Sequence, residues 1–217
     1  ENKEEYKNTV KLLNKEIMKT SIKTLFATAL TALVLTSTAF TTYANDGDQN
    51  PTVAATAMNV SMVTVKGDVN VYLIKSDHED IKIVSSVADQ PNVSIKKLGT
   101  KLIITGSPDE RVTMYVYMKD IKRIEAWNSA NVKTQGNFNT DALQILLHDD
   151  AKANIDVNAN SLYTVIKDES SLKLSGTSQT HDLSKEKYAS LKMHNFNASK
   201  THAFTVAPSY AVAKVKN

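Results

Sequence analysis

The chain has 217 residues, with 26 Lys and Arg against 23 Asp and Glu, a formal net charge of +3, and no cysteine. The missing cysteines exclude disulfides, thiolate catalysis, cysteine-type zinc sites, c-type haem attachment and the lipid-bearing cysteine of a bacterial lipoprotein. Six of the basic and four of the acidic residues lie in the first 44 positions, so the remainder is close to neutral and shows no clustered Lys/Arg stripe of the kind nucleic acid or an anionic membrane needs.

Residues 1–17 (ENKEEYKNTVKLLNKEI) are strongly charged and read as an extension ahead of the signal, outside the mature protein. Met18 opens a secretory signal ending at Ala44. Lys19 and Lys23 form its positive start, Leu25–Leu35 its apolar core, and Thr42-Tyr43-Ala44 a small-residue cleavage site, with Ala39 a second cleavage position. The apolar core is interrupted by threonines and falls well short of the about 20 residues that a spanning helix needs. It predicts export through a cleaved signal peptide to the periplasm or the cell exterior. Residues 45–57 are polar, carry Gly47 and Pro51, and read as a disordered linker.

Residues 58–217 read as a single β-solenoid domain. Val63 and Val65 precede the turn signal Lys66-Gly67-Asp68, and Val69, Val71 and Leu73 alternate with polar neighbours beyond it. Ile81 and Ile83, Val93 and Ile95, and Leu102 and Ile104 mark further short strands between the breaks at Ser76–Asp80, Asp89–Asn92, Leu98–Thr100 and Gly106–Asp109. Val112, Met114, Val116 and Met118 give the cleanest alternation, and Tyr210–Lys216 reads as the last strand. No full-length stretch holds a helical apolar period, so the class is all-β.

Four segments in the second half repeat: Trp127–Gly136, His148–Val157, Lys167–Gly176 and Glu186–Asn195, their starts 21, 19 and 19 residues apart. Aligned, they give one small column (Ala130, Ala151, Ser170, Ala189). Two apolar-leaning columns follow at a period of two (Val132, Ala153, Leu172, Leu191, then Thr134, Ile155, Leu174, Met193). A fourth column, Ile124, Ile145, Thr164 and Leu183, precedes the repeat centres. Strand alternation returning at a fixed interval predicts stacked rungs that share one core. The expectation is a single-stranded parallel β-helix capped by a hairpin-rich first half, with a β-sandwich as the alternative.

In this register Asp149 lies above Asp168, and Asp150 above Glu169. Four carboxylates on adjacent rungs are oxygen ligands of the kind Ca²⁺ takes, or an acid/base set for a polysaccharide lyase or hydrolase. The plainer reading is a solvated turn edge neutralised by Lys152, Lys167 and Lys187. An EF-hand spacing is absent from the sequence, and a β-helix lyase would need clustered basic groups, whereas only Arg111 and Arg123 are arginines. Trp127, the one tryptophan, offers a ring for a sugar, extended by Tyr115, Tyr117, Tyr163 and Tyr188; its other reading is a cover over the joint between cap and solenoid. His78, His148, His181, His194 and His202 show no metal-binding spacing, and His181 and His202 read as exposed loop residues.

The paired opening strands MNVSMVTVKGDVNVYLIKSDHEDIKIVSS, the segment VSIKKLGTKLIITGS and the turns at Asn128–Val132, Asp149–Ala151, Glu169–Ser171 and Tyr188–Ser190 resemble the auto-transporter adhesin head GIN domain family of secreted bacterial proteins. The resemblance runs from about Met58 to Val206, although Ala, Ser and charged residues stand where that family has turn glycines. It implies a right-handed β-helix at the surface or in the periplasm, and it brings no catalytic residues. The function read from the sequence is therefore a secreted, non-catalytic adhesin-like binding or structural module of the envelope. Its partner would be a glycan or a protein, with no nucleic acid, and Trp127, Asp149, Asp150, Asp168 and Glu169 are the candidate contacts. A stacked-carboxylate enzyme and an envelope signalling or stress-response protein are the alternatives.

Overall fold

The computed structural model describes residues 38–39, 52–53, 59–84, 93–109 and 111–205, all within the compact unit Ser37–Asn217. The extension 1–17, nearly all of the signal and linker, and the expected strand Tyr210–Lys216 lie outside the described residues. The elements are β1 (Thr38–Ala39), β2 (Thr52–Val53), β3 (Met62–Lys66), β4 (Val69–Lys75), β5 (Asp80–Val84), β6 (Val93–Leu98) and β7 (Lys101–Gly106). They continue as β8 (Val112–Met118), β9 (Arg123–Ala126), β10 (Asn131–Gln135), β11 (Asn139–Leu147), β12 (Lys152–Ile166), β13 (Ser171–Lys185) and β14 (Ser190–Ala203). The fold is all-β, and the 14 strands form one sheet rather than the two stacked sheets of a sandwich.

The second half is a parallel ladder. Asn131 pairs with Lys152, Lys152 with Ser171, and Ser171 with Ser190. The steps are the 21, 19 and 19 residues that separate the aligned segments. The inward columns match as well. Ala130, Ala151, Ser170 and Ala189 are buried, as are Val132, Ala153 and Leu172, and Ile124, Ile145 and Thr164. Leu191 and Met193 are only half-buried because β14 pairs with β13 alone among the described residues, and Leu183, near the end of β13, is half-buried too.

The first half departs from the expected hairpin-rich cap. Lys66-Gly67-Asp68 does not fold β4 back on β3. Instead β3 pairs parallel with β7 and β9, and β4 parallel with β8 and β10. Residues 62–75 therefore already form a rung, and residues 101–118 stack on its far side, so rung order does not follow chain order. Among the described residues, β6 and β7 are the one pair of consecutive strands joined as a hairpin. The two-residue β1 and β2, inside the predicted signal and linker, pair antiparallel with β6 and β5. Alternation in sequence is the same for parallel and antiparallel strands, so only the turn could tell them apart. Gly67 has φ +81°, and a Cβ there would overlap the Gly106 carbonyl oxygen of the neighbouring rung. The glycine marks a close rung-to-rung approach rather than a hairpin.

Candidate binding surfaces

The corner shared by four rungs is built from residues that tolerate left-handed backbone. Asn128, Asp149 and Asp168 have φ of 58°, 56° and 55°, a conformation in which Asn and Asp are enriched several-fold. Each corner is closed by a backbone bond, from Ala130 to Trp127, Ala151 to His148 and Ser170 to Lys167. Carboxylates then tie one corner to the next. Asp149 Oδ2 accepts from the Asn128 N–H (3.0 Å), Asp168 Oδ2 from the Asp149 N–H (2.9 Å), and Glu186 Oε2 from the Asp168 N–H (3.1 Å). Asp149 and Asp168 are thus stacked in the expected register, yet each carboxylate is turned towards a backbone amide rather than towards the other. Asp150 and Glu169 point from the same corner into solvent. No group of three or more His, Asp or Glu placed to hold a metal ion occurs among the described residues.

Trp127 is half-buried at this corner. Its ring is stacked on His148 (centroids 3.6 Å apart, 1° between planes), and Lys66 Nζ lies 5.7 Å from the centroid. Lys66 ends β3 and His148 follows β11, on either side of β9, so the indole packs among the protein's own side chains at this corner. The indole N–H donates to Glu125 Oε1 (3.1 Å), and the Thr64 hydroxyl donates to Glu125 Oε2 (3.1 Å), with Lys101 Nζ 3.6 Å away. Burial raises the Glu125 pKa, but Lys101, the Thr64 and Trp127 donors and His148 together hold it below the ordinary value. Burial and the Lys167 charge lower the pKa of His148 against the pull of Glu125, Asp168 and Asp149. The sequence reading passed over Glu125, which lies two residues before Trp127 on the same outward face.

A second surface lies where the rungs bend. There, outward columns line a groove of about 1000 Å³. One column is Asn139, Asn158, Thr177 and Asn197, and the next but one is Asp141, Asn160, Gln179 and Ser199; Lys119, Asp120 and Lys122 border the β11 side. Part of this lining is fixed by its own bonds. Asn158 Nδ2 donates to Asn137 Oδ1 (3.1 Å) and Asn139 Oδ1 (3.2 Å), the Thr177 hydroxyl donates to Asn158 Oδ1 (2.9 Å), and Asn160 Nδ2 donates to Asp141 Oδ1 (3.0 Å). Asn160, Gln179, Asn197 and Ser199 are exposed. These residues were not singled out from the sequence, although their columns continue the same repeat alignment a few positions on. The groove has donors and acceptors at every rung, with Ala142 and Ala159 between them, which suits a ligand rich in hydroxyl or amide groups.

The family described as "Putative auto-transporter adhesin, head GIN domain" matches residues 59–210. The chain belongs to this family. The head GIN domain is similar in structure to a putative adhesin from Bacteroides fragilis, at 16% identity and TM-score 0.58 over 67% of this chain and 72% of that one. It is also similar to a putative adhesin from Parabacteroides distasonis (12%, TM-score 0.58, 74% and 79%). A putative lipid binding protein from the same organism matches at 11% identity and TM-score 0.53 over 72% and 78%. At these identities the likeness concerns the fold. No curated protein matches the chain. No helix among the described residues is long and apolar enough to cross a membrane.

Proposed function

We propose that this head GIN domain is an exported, non-catalytic binding module of the cell envelope. Its rungs wind as a right-handed parallel β-helix, and its polar groove seats a glycan or a protein segment. The observation that carries this reading is the groove, where exposed amide, hydroxyl and carboxylate groups recur at one strand spacing, roughly 4.8 Å. Rigid strands hold them in place, so little ordering cost is left to pay when a partner docks. The adhesin description of the family supports adhesion or binding, and the parallel 19-residue register supports the helical winding. One structural relative is described as lipid binding; the groove here presents amide, hydroxyl and carboxylate groups at every rung, which favours a sugar over an acyl chain.

The test is a glycan array and an envelope pull-down, run with the unaltered protein and with Asn160→Ala/Gln179→Ala. Two lost hydrogen bonds weaken capture roughly ten-fold or more. Empty results from both screens, or a partner whose capture ignores the double substitution, would remove the support for this reading.

A further inference from the structure

The head GIN domain carries a second outward row, on the part of the sheet that holds β4, β8 and β10. Following the register from strand to strand, Lys82 pairs with Tyr115, Tyr115 with Tyr72 and Tyr72 with Lys133; the row continues through Asn154 and Lys173 to Lys192. Seven strands at about 4.8 Å make a line roughly 30 Å long. Lys152 stands in the adjoining column, and Asp80 and Asp156 are the acids of the column on the other side. Lys82, Lys152, Lys173 and Lys192 are exposed. None of these five lysines is in an ion pair among the described residues; the recorded pairs are Lys101–Glu125, Arg111–Asp68 and His202–Asp182.

The tyrosines organise the row. Tyr72 and Tyr115 are stacked (centroids 5.1 Å, 20°), Lys133 Nζ lies 5.5 Å from the Tyr72 ring, and Lys82 Nζ lies 5.3 Å from the Tyr117 ring. An ammonium group held over an aromatic face keeps its charge while losing side-chain freedom. Because Tyr115 and Lys133 approach from opposite sides of β4, neither face of Tyr72 is open for a nucleic-acid base to stack on. The neighbouring positions Asn131, Ser171, Ser190 and Gln135 are polar, and the apolar neighbours Val84, Ile74 and Tyr117 lie only at the β4, β5 and β8 end of the row, too few to anchor it in a lipid layer.

We propose that this row is a docking surface for a linear acidic polysaccharide, one that carries carboxylate or sulfate on successive sugars and lies across the strands. The charge is complementary and unpaired, it is arranged in a line rather than a patch, and hydroxyl and amide groups flank it for the sugar's neutral part. On β12 and β13 the row lies four residues from the groove column of Asn158 and Thr177, and its dependence on ligand charge and salt distinguishes its failure from that of the groove.

The test is a titration of the full chain with polygalacturonate. Dextran is the neutral control, and vesicles of phosphatidylglycerol and phosphatidylcholine are the membrane control. The protein binds polygalacturonate and not dextran, and binding weakens with added salt. Lys133→Gln/Lys173→Gln weakens it roughly ten-fold, from a few-fold for each exposed ion pair. Lys96→Gln/Lys187→Gln removes the same charge elsewhere and leaves it within about two-fold, and circular dichroism of both variants matches the parent. The proposal is overturned if polygalacturonate does not bind, if both double variants weaken binding equally, or if only the anionic vesicles are bound.

Discussion

His181 is the one histidine that the ladder draws fully into its interior. It pairs with Leu162 on one side and Thr201 on the other, is 0% exposed, and packs edge-on to Phe196 with centroids 5.3 Å apart. Nε2 lies 3.0 Å from the Thr164 hydroxyl, whereas Nδ1 is buried with no partner. Burial lowers its pKa below the ordinary 6.5, against the raising effect of Asp182. The unfolded chain therefore takes up a proton on this residue before the folded chain does. Stability is fully present above about pH 6.5 and is lost as the pH falls from there towards the folded value, by at most about 1.4 kcal/mol per pH unit from this group. His181→Leu continues the column of Leu143 and Leu162 and removes the titrating group, although Thr164 loses its partner. Urea unfolding at pH 7.5 and 5.5 checks this. The parent loses more stability than His181→Leu over that interval, by up to about 1 kcal/mol, and an equal loss in both would refute the argument whatever the absolute stabilities are.

Three further outcomes follow from the same geometry. Gly176 has φ +101°, and a Cβ there would overlap the Val157 carbonyl oxygen, so Gly176→Ala lowers stability by about 2 kcal/mol or more in thermal unfolding. Asp168→Ala strips the acceptor from the Asp149 amide and puts alanine at φ +55°; it costs about 1–2 kcal/mol, whereas Asp168→Asn costs less than half of that. Trp127 is the sole tryptophan and is stacked on His148, so its emission falls as His148 takes up a proton. The midpoint lies below the ordinary histidine value, and His148→Gln abolishes the change.

Much of the ladder was legible because its inward columns are chemically monotonous. Ala130, Ala151 and Ser170 have to be small, since each sits under a corner that is closed three residues back, and Ala189 continues their column. The outward columns were harder to read. Asp149 and Asp168 looked like a carboxylate pair, but their partners are backbone amides, and a sequence gives no sign of which backbone N–H a corner leaves unsatisfied. His181 looked like a loop residue because its neighbours Thr180 and Asp182 are polar; its column, shared with Leu143 and Leu162, indicates an interior position. The lysine row escaped for a related reason. Lys133, Lys173 and Lys192 occupy one column of the aligned repeats, but Lys82, Tyr72 and Tyr115 reach that line only through a rung order that departs from chain order. A chain that reads as neutral along its length thereby carries a basic line.

The groove is the centre of this account, and hydrogen exchange of the head GIN domain with its array-selected partner tests it most directly. Bound partner slows exchange in Asn139–Ala142, Asn158–Ser161 and Thr177–Thr180 and leaves the corner residues Asn128, Asp149 and Asp168 unchanged. Protection confined to that corner, with residues 139–142 and 158–161 exchanging as in the free protein, would contradict it.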